Sequence, residues 1–240
     1  MSENSSLEFD WRNYKWYAYE HCKNDTTNCK NAYLGTNVIK NNKDNSLQFP
    51  IEYEPKSFVG DILNTRRKYK CAFIESSDVF SYGTYVFKAM IGNSPNTWPA
   101  IWLYGAECWP PEIDVLEAYP DKDGDISNFP YVRWETNIHY NEYNPQQYGA
   151  KGINSLIYKL THKDGKPDTW KLVWTPKSIK IYFNGIRVRK VTDKEVINHF
   201  NKYNKMRVVV NNMLQKDFDD NDLKNQQKFI LYDFQYIPYK

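Results

Sequence analysis

Apolar and polar residues alternate one by one along several stretches of the chain. Ser178-Ile-Lys-Ile-Tyr-Phe183 alternates, Asn184-Gly185 interrupts it, and Ile186-Arg-Val-Arg189 alternates again. Asn-Gly between two such runs predicts a hairpin, because both residues tolerate positive φ. Tyr82-Gly-Thr-Tyr-Val-Phe-Lys-Ala-Met90 and Phe229-Ile-Leu-Tyr-Asp-Phe-Gln-Tyr236 also have period two, and Met206-Arg-Val-Val-Val210 reads as a more fully buried strand. The polar run Asn41 to Asn45 predicts a turn. One short helix breaks the pattern. Thr192 and Glu195 have capping-box spacing, and Val196, Phe200 and Tyr203 follow at i, i+4, i+7, which predicts about three turns. Many short strands and one helix predict an all-β fold, a β-jelly-roll sandwich of two antiparallel sheets with a concave cleft. No repeat or low-complexity linker divides the 240 residues, so residues 1–240 are expected to form a single domain, and a monomer is expected.

Aromatic residues make up 17% of the chain, more than a core of this size needs. Tyr and Trp pair a flat apolar ring with a polar handle, which suits a surface that binds sugars. The formal net charge is +3 and no basic run occurs, so nucleic acid is not an expected partner, while a mild preference for an anionic polysaccharide stays open. No stretch is long and apolar enough for a membrane span, and no membrane partner is expected. Met1 to Trp11 lacks the apolar core of a secretion leader. The location is therefore left open: outside the cell if a leader was removed, or carried on a phage particle. Cys22 and Cys29 flank a polar loop and can close a small disulfide in an oxidising compartment. With His21 beside them a metal site is imaginable, but the spacing does not repeat as a zinc pair's does. Cys71 and Cys108 complete the set, and Cys71 reads as a buried thiol.

The chemistry concentrates in Trp109-Pro-Pro-Glu-Ile-Asp-Val-Leu-Glu-Ala-Tyr119. In a strand, Glu112 and Asp114 share a face. Glu117, five residues from Glu112, falls on the other face unless one β-bulge at Val115-Leu116 returns it. Three carboxylates on one face repel, which raises the pKa of at least one of them. A structural strand gains nothing from this. A retaining glycosidase requires it, because it uses one ionised and one protonated carboxyl close together.

Glu112-Ile-Asp-Val-Leu-Glu117 resembles the bulged E-x-D-x-x-E signature of glycoside hydrolase family 16. Other blocks are similar in the same order: Tyr69-Lys-Cys-Ala-Phe-Ile-Glu-Ser76, Phe80-Ser-Tyr-Gly-Thr-Tyr85, Trp98-Pro-Ala-Ile-Trp-Leu103, Thr136-Asn-Ile-His-Tyr140 and the Trp170 to Tyr182 hairpin. Together they cover roughly residues 35 to 237. The resemblance implies an endo-acting retaining hydrolase of a β-linked polysaccharide, a β-1,3/1,4-glucan or a galactan. It implies Glu112 as nucleophile, Glu117 as acid/base and Asp114 as helper of Glu112. It also places Trp109 and His139 at the substrate, with Asn37 nearby. Trp98 and Trp102 share a strand face and reach either cleft or core. Arg133, Trp134 and Glu135 are candidate sugar contacts by neighbourhood alone. No cofactor or catalytic metal is expected. Some members of the family carry a structural calcium, but Asp121-Lys-Asp-Gly-Asp125 reads as a solvated turn, so none is located. A non-catalytic carbohydrate-binding module, or a transglycosylase on the same scaffold, is the alternative.

Overall fold

A computed structural model of the chain describes residues 6–20, 32–57, 66–92, 94, 96–119, 131–140, 151–160, 166–214 and 228–240. The strands run in chain order as β1 (Ser6–Trp11), β2 (Tyr14–Tyr19), β3 (Ala32–Gly35), β4 (Ile39–Asn41), β5 (Ser46–Phe49), β6 (Ile51–Ser57), β7 (Arg66–Ser76), β8 (Gly83–Met90) and β9 (Thr97–Gly105). There follow β10 (Glu112–Ala118), β11 (Tyr131–Tyr140), β12 (Lys151–Leu160), β13 (Asp168–Thr175), β14 (Ser178–Phe183) and β15 (Ile186–Val191). The single helix among the described residues is α1 (Lys194–Lys202), and β16 (Met206–Leu214) and β17 (Phe229–Pro238) close the fold.

Two sheets form, as the alternating pattern predicts. The first, here the cleft sheet, has the order β1-β2-β7-β16-β9-β10-β11-β12, and β7 also pairs with β3 and β6. The second, the back sheet, has the order β15-β14-β13-β8-β17-β5-β4. All pairings are antiparallel except that of β3 with the first half of β7. Between the sheets lies an aromatic core in which Trp134 of β11 meets Trp170 of β13 at 5.9 Å and Phe183 of β14 at 5.1 Å between ring centroids. Cys71 is buried in a smaller cluster with Ile51, Tyr69 and Leu214. The suggested bridge of Cys22 to Cys29, and the turn at Asp121 to Asp125, lie outside the described residues.

The Asn-Gly hairpin forms between β14 and β15, with φ of 46° at Asn184 and 82° at Gly185. The helix starts one residue later than the capping box predicts. Asp193, not Thr192, is the N-cap, and its Oδ1 accepts from the backbone N–H of Glu195 at 2.9 Å and of Val196 at 3.2 Å. A charged acceptor at the next position, favoured by the helix dipole, outcompetes the neutral threonine hydroxyl. Val196, Ile197 and Phe200 are buried, and Phe200 packs edge-on to Trp174 at 6.1 Å. Asp193→Ala is expected to destabilise the protein by about 1 kcal/mol, read as a lowered midpoint in urea. An unchanged midpoint would show that the cap does not contribute.

Candidate active site

The face of the cleft sheet follows from register. Opposed residues of antiparallel strands share a face, and every second residue along a strand does too. Glu112 lies opposite Tyr104 of β9 and His139 of β11. Asp114 lies opposite Trp102 and Asn137, and Glu117 opposite Ala100 and Glu135. Between Asp114 and Glu117 the register slips on both sides, so Val115 and Leu116 together face one residue of each neighbour. This is the bulge that the spacing of the acids demands. It puts Glu112, Asp114 and Glu117 on one face, while Ile113, Val115 and Leu116 are all fully buried on the other.

The three carboxyls line a cleft of about 710 Å³, together with Trp98, Trp102, Trp109, Asn137 and His139. Their surroundings differ. Trp109, which is 44% exposed, donates its indole N–H to Glu112 Oε2 at 2.6 Å. It reaches Glu112 because Gly105 N–H donates to Pro111 O at 2.8 Å and folds the connection back, and a Cβ at Gly105 would come within 2.3 Å of Cys108 O. Asp114 is buried at 2% exposure, and His139 Nε2 stands 3.2 Å from its Oδ2 and 3.8 Å from Glu112 Oε1. Glu117 sits deeper. Trp98 Nε1 donates to its Oε1 at 3.2 Å and Tyr119 Oη at 3.3 Å, and the Asn137 amide donates to Oε2. Burial raises the Glu117 pKa to about 7, helped by the charges of Glu112 and Glu135 and opposed by the amide of Asn137. Loss of hydration outweighs the donors, so the carboxyl keeps its proton far above the usual range.

Support comes from behind the sheet. Arg189 of β15 crosses the core, and its Nη2 donates to Thr136 O at 2.7 Å while Nε donates to Thr136 Oγ1. Burial lowers its pKa to about 10 against the opposing pull of Asp114 and Glu135, so it is a cation at neutral pH. A buried positive charge beneath a face of carboxylates offsets part of their repulsion.

Most of the residues singled out from the sequence meet here: Glu112, Asp114, Glu117, Trp109, His139, Trp98 and Trp102 all line the cleft. Trp102 donates its indole N–H to Asn211 Oδ1 at 2.7 Å. Asn37 is placed otherwise. Its amide donates to Pro50 O at 3.3 Å and Lys70 O at 3.2 Å, pinning β7 to the chain before β6, and it is not among the residues lining the cleft. Trp134 is fully buried in the core rather than turned to a sugar. Arg133 lies opposite Tyr158 of β12, and its side chain is outside the described residues. Asn137 and Tyr119 escaped the sequence reading. Period two counted back from His139 points to Asn137, and counted on from Glu117 it points to Tyr119. Ligand atoms of Glu112, Asp114 and His139 lie within 4.8 Å of one another. That set could hold a cation, and the same closeness suits a histidine that steadies two carboxylates.

The jelly roll's cleft sheet sets a row of carboxyl groups between indole rings. The model of Glycosyl hydrolases family 16 matches residues 26–234, and the chain belongs to that family. Endo-1,3-1,4-beta-glycanase EglC of Rhizobium meliloti (strain 1021) is 27% identical over 116 residues, which are 48% of this chain and 22% of that protein. The chain thus matches only about a fifth of the length of that curated relative. Among solved structures, the Bacteroides ovatus mixed linkage glucan GH16 protein, in complex with a product, is similar with a TM-score of 0.68 at 18% identity, over 96% of this chain and 97% of that one. The laminarinase catalytic domain from Thermotoga maritima MSB8 gives 0.65 at 15% identity, over 87% and 83%.

Proposed function

We propose that the protein is an endo-acting, retaining glycoside hydrolase that cleaves a β-linked polysaccharide by double displacement. The observation that carries this is the unequal treatment of two carboxyls on one strand face. Glu117 holds its proton to about pH 7 in a buried niche, whereas Glu112 is at the cleft surface beside an indole donor. Pairs whose surroundings separate them in this way divide into acid and nucleophile.

In the first step a Glu112 carboxylate oxygen bonds to the anomeric carbon, and the glycosidic C–O bond breaks. The Glu117 proton passes to the departing oxygen. In the second step a water oxygen attacks the same carbon and the bond to Glu112 breaks. The water's proton goes to the Glu117 carboxylate, which restores both groups. Asp114, two residues along the strand, and His139, 3.8 Å from Glu112 Oε1 and 3.2 Å from Asp114 Oδ2, fix the orientation of Glu112. Trp109 offers its ring to the C–H face of the sugar at the bond that is cut.

Oligosaccharide release from laminarin, lichenan, xyloglucan, agarose, porphyran and carrageenan tests this reading. Release from at least one is expected. Binding to a glycan with no release from any would reassign the protein as a carbohydrate-binding module.

A further inference from the structure

A second polar group faces the same cleft on the far side of Tyr104. Glu75 of β7 is buried at 2% exposure, yet it lines the cleft with Tyr19 and Tyr104. Its Oε1 accepts from Tyr17 Oη and from Tyr104 Oη, each at 2.6 Å, and its Oε2 accepts from Tyr19 Oη at 3.4 Å. Arg207 Nε is 3.6 Å from Oε1, and Arg207 Nη1 donates to Ser76 O and Ser77 O at 2.8 Å each. A buried carboxylate is costly unless donors surround it. Here three hydroxyls from two strands do so, with an arginine behind them. Burial and the charge of Glu75 raise the pKa of all three tyrosines, which keeps them protonated as donors.

The result is a rigid aromatic shelf. Each hydroxyl is tied to one anchor, so the rings are fixed before any ligand arrives. Tyr17 and Tyr19 are stacked at 5.7 Å, and Tyr104 lies against Trp102 at 5.6 Å. Ordering side chains in advance removes much of the entropy cost of binding. With Tyr19 one strand further out and Tyr104 on β9 leading back toward Glu112, Glu75 stands on β7, three strands from β10 in the sheet order, or about 14 Å at the usual strand spacing. That is further than one pyranose ring reaches from the reacting carbon. Glu75, Glu112, Asp114 and Glu117 all line this cleft, and no Lys or Arg does among the described residues.

We propose that the Glu75-anchored tyrosine shelf is a distal subsite that stacks an uncharged pyranose of the substrate chain, so that this cleft selects neutral glycans over sulfated or uronic ones. This rests on the glycan-cleaving reading of the same cleft. Flat rings suit the C–H face of a sugar, and a cleft with carboxyl groups but no Lys or Arg among its described lining residues offers a polyanion no cationic partner.

The test uses the full chain in two forms. Tyr19→Leu keeps apolar bulk but removes the flat ring, and Tyr19→Ala removes both. In the Glu112→Gln background, calorimetry would follow binding of laminari-oligosaccharides from the disaccharide to the heptasaccharide, with sulfated laminarin fragments as the charged series. The expected result is a loss of roughly tenfold in affinity for the long chains alone, the scale of one lost aromatic contact. Neutral chains should bind tighter than sulfated ones of equal length. An equal loss at every length, or none at any, overturns the subsite. Equal or tighter binding of sulfated chains overturns the neutral preference. A wild type that cleaves these glucans while Tyr19→Leu changes nothing refutes the shelf alone. A wild type that binds through the shelf yet releases no sugar refutes the hydrolase alone.

Discussion

Glu112→Gln is expected to end turnover of the natural glycan, with a fall on the order of ten-thousandfold or more, while the substrate still binds. The amide keeps the shape of the carboxylate, and its oxygen can still accept the Trp109 N–H that reaches Glu112 at 2.6 Å. What it lacks is the electron pair of an anion aimed at the anomeric carbon. Without the glycosyl-enzyme bond, neither displacement can begin. Reducing-sugar release read beside calorimetric binding separates the two effects. Turnover within tenfold of wild type would remove Glu112 from the role of nucleophile.

Glu117→Ala is expected to behave differently, because its proton matters only when the leaving group is poor. On a polysaccharide the loss should be about a hundredfold to ten-thousandfold, the usual worth of a placed general acid. On an aryl glycoside that leaves as a stable phenolate, the first step should persist. The second should slow, since no base remains to activate water, and product should appear as a burst followed by slow release. The wild-type profile should show the same group. With Glu117 raised to about 7, kcat/KM on the glycan should hold below that pH and decline above it as the proton is lost. The alanine variant should lack that decline on the aryl glycoside. A variant that loses both substrates equally while remaining folded would argue that Glu117 supports the sheet instead of the reaction.

Local signals were enough for the elements that depend on local rules. The Asn184-Gly185 hairpin is set by two residues that accept positive φ, and its strands carry the period of a half-buried sheet. The bulge in β10 was legible for a chemical reason, as three acids have to share a face although their spacing is odd. The helix cap moved by one residue because Thr192 and Asp193 compete, and the better acceptor is visible only once the helix is built. Trp134 could have been assigned to the core, since alternation through β11 puts it opposite in face to Asn137 and His139. Only its place on the strand leading to His139 points the other way. The place of Asn37 is not legible in sequence, because a loop amide takes whichever backbone the fold brings near, here at Pro50 and Lys70. The tyrosine shelf had no sequence signature at all. Its parts come from positions 17, 19, 75, 104 and 207, and only the strand order gathers them.

The bulge at Val115-Leu116 has a consequence for how the motif tolerates change in length. Two residues do the work of one there, so the strand carries a surplus unit in its phase. Removing that unit would restore plain alternation through Asp114, and the following glutamate would still open onto the cleft, one step nearer Glu112. Removing Ile113 instead would invert the phase beside Glu112 and turn Asp114 inward. Deletions of equal size, two positions apart, are therefore not equivalent. The motif has one joint at which it can shorten, and that joint lies between the helper acid and the proton donor.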